Sequence, residues 1–318
     1  MPTENKPVAS NPAPPPDRTS QRLPPMTAIR VMTPDEISAS KHARERKDAQ
    51  VRGVTSIHAM REAIRHAARD IAAISTVPRL GLLDAAAFRM RAAQGLPFVM
   101  TGLVERWPLT ALTPQTLRDH FGDLPVRARV GDYINTAFAP DRAMQDMSMR
   151  AYLALVSAGT QDLPPYLGNL ELRALNRMCC WPAYFSKMGP PRFWLGPAGT
   201  VTPLHCDYDD NIFAQIWGTK RIVLSPPHHD EFLYTREANA ILFGSPFNPE
   251  APDFDRFPLA RHASMIECVV NAGDLLYVPA GWYHHVRSLT FSLSANRWAR
   301  AMPLALNGDL SLQPLDCR

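Results

Sequence analysis

The 318-residue sequence predicts a mainly β protein, a sandwich or barrel with helices ahead of it. Three observations lead there. From about residue 191 the apolar pattern takes a period of two, in short segments punctuated by Gly, Pro, Asn and Asp. Before that point, apolar residues recur at helical spacing between Gly and Pro stops. Hydrophobic residues make up 46% and charged residues 20%, enough for one large core.

The elements follow in order. Residues 1–40 read as a disordered arm, with nine prolines in the first 36 positions. Residues 41–80 form a basic segment in which Ile57, Met60, Ile64, Ala68, Ile71 and Ile74 line one face of a helix at 56–75. A second helix spans 84–94 and stops at Gly95, and the apolar run of LPFVMTGLVERW (96–107) reads as a buried strand bounded by Gly95 and Gly102. Thr113 caps a short helix with Pro at its first position, PVRARV alternates as a strand, and 148–156 is again helical. The β segments are FWLGP, TVTPLHCDYD, NIFAQIWG, TKRIVLSP, SMIECVV, DLLYVP, YHHVRS and FSLSANRW. The domain runs over 81–300, with a tail at 301–318. Residues 134–147 and 236–262 read as irregular loops.

Charge and cysteine content narrow the function. Residues 41–70 carry eight basic and four acidic residues, which is the whole net charge of +4. That surplus suits a solvated helix face or a dock for an acidic peptide, and is too small to argue for nucleic acid. Five cysteines without a CxxC pair point away from a disulfide framework or structural zinc and towards a reducing cytoplasm. The first ten residues, MPTENKPVAS, lack the character of a secretory signal. No apolar run nears the roughly 18 residues of a membrane helix.

The chemistry centres on His205-Cys206-Asp207. On a strand, His205 and Asp207 share a face and Cys206 points away. An imidazole and a carboxylate so placed are two-thirds of a facial triad, which suits Fe(II) because it leaves coordination positions open. His284, in GWYHHV, is the candidate third ligand, with His285 pointing the other way.

TPLHCDYDDNIFAQIWGTKRIVLSPP (202–227), GDLLYVPAGWYHHVRSL (273–289) and SANRW (294–298) resemble the JmjC/cupin-type Fe(II)/2-oxoglutarate-dependent oxygenases. Within that group the likeness is greatest to the asparaginyl hydroxylase of hypoxia-inducible factor. The resemblance implies a double-stranded β-helix (jelly roll) and Fe(II) held by His205, Asp207 and His284. It also implies a dioxygenase that uses O2 and 2-oxoglutarate to hydroxylate an amino-acid side chain in a peptide or protein. It assigns the 2-oxoglutarate contacts to Lys220, Thr202 and Tyr166, with Asn211, Phe213 and Asn296 around them.

Only five of the 34 basic residues are lysines, and one in a β core is costly unless an anion compensates it. Many related oxygenases instead place an arginine about ten residues after the distal histidine, where this chain has Ser294. Phe243 and Gly244 stand where the asparaginyl hydroxylase has the Arg-Gln pair that reads its target amide, which leaves the substrate open. The alternatives are a small-molecule or RNA-base hydroxylase, an N-methyl-lysine demethylase, or a metal-binding cupin without catalysis. Trp217, Trp282 and Trp298 are expected in the core, Cys206 packed behind the metal strand, and His228, His229 and His285 in structural roles.

Overall fold

The computed structural model describes residues 61, 62, 64, 65, 68, 71 and 73–299, apart from 139–141, 160–162, 186–187 and 240–241. The expected arm, most of the basic segment and the tail lie outside the described residues.

Two sheets carry the fold. The larger has the order β1 (Arg79–Leu80), β2 (Phe98–Met100), β13 (Leu275–Val278), β8 (Asp210–Trp217), β15 (Ser292–Ala299), β6 (Arg192–Gly196) and β5 (Leu167–Leu170). The smaller has the order β10 (Arg236–Asn239), β11 (Leu242–Gly244), β7 (Val201–Asp207), β14 (Tyr283–Ser288), β9 (Thr219–Ser225) and β12 (Ile266–Asn271). Strands β6 to β9 alternate between the sheets, and β12 to β15 do so again. This is the expected double-stranded β-helix. A separate ribbon pairs β3 (Pro125–Arg129) with β4 (Met144–Ser148).

Burial explains the sequence pattern. Val99, Phe213 and Leu276 of the large sheet meet Ile222, Ile266 and Val286 of the small one in the barrel core. At the edge, β12 alternates strictly, with Ile266, Cys268 and Val270 inward. Central β8 is buried along nearly its whole length, because helices cover the outer face of the large sheet. These include α1 (Ala85–Ala92), capped by Asp84, and α2 (Pro114–Phe121), capped by Thr113. Short α3 (Tyr133–Thr136) follows β3; α4 (Met149–Ser157) is capped by Ser148, and α5 (Arg173–Asn176) follows β5.

The strand expected between Gly95 and Gly102 is β2, and past Gly102, whose φ is 75°, residues 104–106 coil into a 3-10 turn. Two expectations are corrected. The segment 134–147 holds the end of α3 and most of β4, whose residues 144–147 pair with β3. The segment 236–262 contains β10, β11 and a 3-10 turn; three-residue β11 pairs with β7 directly beside His205.

Of the amphipathic helix, residues 61, 62, 64 and 65 are described and helical. Ile64 is buried against Gly281, which Pro227 also flanks. Arg61 Nη2 lies 2.7 Å and Arg65 Nε 3.3 Å from carboxylate oxygens of buried Asp230. Two of the segment's cations therefore anchor it to the barrel.

Gly218 closes the β8–β9 hairpin with a φ of +67°, and a Cβ there would lie 2.2 Å from the Phe291 carbonyl oxygen. Gly102 also has a positive φ but open space around it. Gly218→Ala is expected to cost about 2–3 kcal/mol in chemical denaturation, and Gly102→Ala only about 1 kcal/mol.

Candidate metal centre

The ladder between β7 and β14 builds the centre. His284 pairs directly with His205, and the imidazole centroids lie 4.2 Å apart. Beyond that pair the register slips: Val286 faces Thr202, so β7 advances three residues while β14 advances two. The bulge contains Pro203, which has no N–H for the ladder. Thr202 and His205 consequently project to the same interior face, although strict alternation would separate them.

His205, Asp207 and His284 each offer a ligand atom, and these atoms all lie within 4.8 Å of one another. His205 Nδ1 donates to the Pro203 carbonyl at 2.8 Å, and His284 Nδ1 to the Trp282 carbonyl at 3.0 Å. A carbonyl can only accept, so both Nδ1 atoms carry the proton and both Nε2 lone pairs are left for a metal. His284 Nε2 lies 3.8 Å from Asp207 Oδ2. Burial and the adjacent His284 hold His205 well below its ordinary pKa, hence neutral. Two neutral imidazoles and one carboxylate fit a divalent cation.

Asp207 Oδ2 also accepts a hydrogen bond from Trp298 Nε1 at 2.9 Å. This corrects the reading of Trp298 as a core residue: it is half-buried and holds the carboxylate. Trp217 is half-buried too, beside Phe291, whereas Trp282 is fully buried. Cys206 packs on the opposite face with Tyr283, and burial pushes its thiol up to about 12. His285 faces away from the centre, 3.8 Å from Glu250, and burial pushes it down to about 4.

Lys220 lies in the same interior, 1% exposed. Its register partner on β14 is Ser288, on the face shared with Val286 and His284. Its Nζ donates to Ser294 Oγ at 2.8 Å across the barrel. Ser294 thus receives the ammonium at the position where related oxygenases carry an arginine. The Phe213 and Tyr166 rings lie 5.6 and 5.8 Å from Nζ. Burial alone lowers Lys220 to about 7, and no carboxylate among the described residues pairs with it.

Tyr166 is buried, and the Thr202 side chain partly offsets the upward push that burial gives its hydroxyl. Asn296 Nδ2 donates to Asn211 Oδ1 at 2.8 Å, while Asn296 Oδ1 is buried without a partner. Two other cations are spent elsewhere: Arg287 on Glu250 and the Gly199 carbonyl, Arg297 on the Met188 and Gly189 carbonyls.

Fold and centre together define a cupin-like barrel, and residues 84–303 match the cupin-like domain family, to which the chain belongs. Among curated proteins it is 42% identical over 105 residues to lysine-specific demethylase JMJ30 of Arabidopsis thaliana, covering 33% of this chain and 24% of that one. It is 29% identical over 214 residues to lysine-specific demethylase 8 of Xenopus tropicalis, covering 64% and 47%. It is 34% identical over 126 residues to the human bifunctional peptidase and (3S)-lysyl hydroxylase JMJD7, covering 33% and 40%. The chain thus spans less than half the length of each of these relatives.

Two outcomes are expected here. His205→Ala abolishes stoichiometric binding of Mn(II) in calorimetry, whereas Trp298→Phe leaves the fold intact and weakens it about tenfold by freeing the carboxylate. Lys220→Met raises the melting temperature of the ligand-free protein. In the folded chain Lys220 titrates near 7 against an ordinary 10.5. The unfolded chain therefore holds an extra proton between those values, and wild-type stability climbs with pH across that window. The melting-temperature gain is accordingly greatest at and below pH 7 and fades as pH rises towards 10.5.

Proposed function

We propose that the chain is an Fe(II)- and 2-oxoglutarate-dependent dioxygenase that hydroxylates an amino-acid side chain in a peptide or protein. The observation that carries this is the pairing, inside one barrel, of a His-Asp-His group with open Nε2 atoms and a buried ammonium that lacks a counter-ion. A metal alone would leave Lys220 unexplained. A neutral ligand would leave its charge uncompensated.

His205, Asp207 and His284 would hold the iron, with Trp298 fixing the carboxylate. When bound, iron and 2-oxoglutarate supply the oxidising chemistry, consuming O2 and releasing succinate and CO2. Lys220 would bind the distal carboxylate of 2-oxoglutarate through a charge-assisted hydrogen bond, with the Tyr166 and Thr202 hydroxyls completing its surroundings. Phe213 walls this end from water, which strengthens that attraction. Asn296 offers its unpartnered oxygen as an acceptor beside Asn211. Phe138, whose ring lies 5.5 Å from His205, lines the other side. Among the described residues no helix is long and apolar enough to cross a membrane.

Support for a peptide substrate comes from relatives named as a lysyl hydroxylase and as lysine-specific demethylases. Another relative, of Gallus gallus, is named as a tRNA wybutosine-synthesizing protein, which keeps an RNA base among the outcomes. The test is succinate release by the iron-loaded protein with 2-oxoglutarate and O2, together with intact-mass analysis of a synthetic peptide library after turnover. Expected are succinate formation that Asp207→Ala abolishes, and peptides heavier by one oxygen atom. Loss of one methylene would identify a demethylase instead. Absence of succinate from iron-bound protein would leave a binding cupin.

A further inference from the structure

The side of the centre away from Lys220 is built from a glycine and a ring. The register of β11 sets Gly244 against His205 on one flank of β7, while β14 sets His284 against His205 on the other. A Cβ on Gly244 would lie 2.6 Å from Cδ2 and 3.0 Å from Cε2 of Phe138. The Phe138 ring therefore stands on the bare backbone of β11, in the space that any other residue at 244 would fill. Its centroid lies 5.5 Å from that of the His205 imidazole, the two planes at 48°.

Short α3 delivers the ring to this place. Asp132 caps the helix: the Asn135 N–H donates to its Oδ1 at 3.3 Å and Asn135 Nδ2 to its Oδ2 at 2.8 Å. At the other end Thr136 Oγ1 donates to the Asp132 carbonyl at 2.8 Å. The Tyr133 ring opens the helix 6.3 Å from Tyr166, and its hydroxyl donates to the Pro164 carbonyl at 2.8 Å. Just past the helix Ala137 is buried and Phe138 is half-buried.

Register separates this ring from the cosubstrate end. Gly244 lies one strand from β7, whereas Lys220 lies on β9, two strands from β7 in the opposite direction. Gly244 is level with His205 and His284, whereas Lys220 is level with Ser288, four residues further along β14. With strands about 4.8 Å apart and about 3.3 Å per residue, the two backbones are about 14 Å apart across the sheet and about 13 Å along it.

The large sheet faces the centre with rings of its own. Trp298, which holds Asp207, lies 5.7 Å from Trp194 between centroids, and both are half-buried. The Asp207 side chain keeps 14% of its surface exposed, so the metal group is open to an incoming side chain. The Phe138 wall reads shape and not hydrogen bonds. Gly244 has no side chain with which to read an amide. Phe138 offers none of the partners that an amide or carboxylate gives up on leaving water. Methyl and methylene groups give up nothing there and gain contact with the ring.

We propose that Phe138 is a specificity-determining residue, which packs against the aliphatic stem of the side chain presented to the metal. The residue accepted then has a stem of three or more aliphatic carbons, whether it ends in a methyl group, as in Leu, or in a cation, as in Lys. Asn and Asp, short and polar, are rejected. This deepens the oxygenase reading and rests on it.

The test is affinity selection, which does not require turnover. Immobilised zinc-loaded protein with 2-oxoglutarate is exposed to a random synthetic peptide library, and retained peptides are sequenced. Wild type is expected to enrich long-stemmed residues over Asn and Asp about tenfold at one position, the factor for one polar group left without a partner. Phe138→Ala should lose this preference, and Phe138→Leu, which keeps an apolar wall, should retain it. Gly244→Ala should also lose it, because its Cβ displaces the ring. In the double variant Gly244→Ala should add nothing to Phe138→Ala, since the ring that it displaces is gone.

Unchanged preference in Phe138→Ala overturns the proposal, as does a wild type that selects Asn or Asp or shows no positional preference. Additive losses in the double variant overturn it too, by giving the two residues separate roles. So does weaker 2-oxoglutarate binding in Phe138→Ala with peptide preference intact, which would assign the ring to the cosubstrate. Succinate release, assayed in parallel, reports on the oxygenase reading separately. Aliphatic selection without succinate would sink that reading while leaving Phe138 as the wall of a peptide-binding slot.

Discussion

The register between β7 and β14 is the constraint on which the centre depends. Pairing His205 with His284 puts both imidazoles on the interior face, and alternation then delivers Asp207 to the same face. A one-residue slip would turn every one of these side chains outward. Several contacts hold the register. The Gly281 N–H donates to the Asp207 carbonyl at 2.8 Å, tying the turn before β14 to the end of β7. Ile64 presses on Gly281 from outside, and Arg61 and Arg65 lock that helix to Asp230. On the far side of β14, Arg221 and Arg287 clamp Glu250, fastening the segment after β11 across β9 and β14.

The interior also carries a buried amine, that of Lys220, which no carboxylate among the described residues neutralises. A protein selected for stability alone would not bury Lys220 with a single serine as partner, since a methionine fills the same space without the desolvation cost. Lys220 therefore marks a place where an anion is expected.

Much of this was legible in the sequence because it rests on short periods. Strict alternation in MIECVV gave β12 its faces, and the HxD spacing put His205 and Asp207 together. Ser148, Thr113 and Asp84 marked helix starts that the structure shows as caps. What escaped depends on distant partners. Trp298 is an indole in an apolar strand, and only the fold shows its N–H reaching Asp207. The bulge at Pro203 shows itself in a ladder, not in a string of letters. Strand β11 is three residues long and lies in a stretch rich in Pro, Asp and Phe, so nothing periodic announced that it borders the metal strand.

The central claim is that one anionic ligand joins Lys220 to the metal group. It is tested most directly by calorimetric titration of 2-oxoglutarate into zinc-loaded wild type and Lys220→Met, in buffers of different ionisation enthalpy. An anion raises the proton affinity of an ammonium that titrates near 7 when unliganded. Binding to wild type should therefore take up a proton above that pH and weaken by about tenfold per pH unit from about pH 7.5 to 9. Lys220→Met should bind far more weakly and show neither effect. Equal affinity in the two proteins, with no proton uptake in either, would contradict the account.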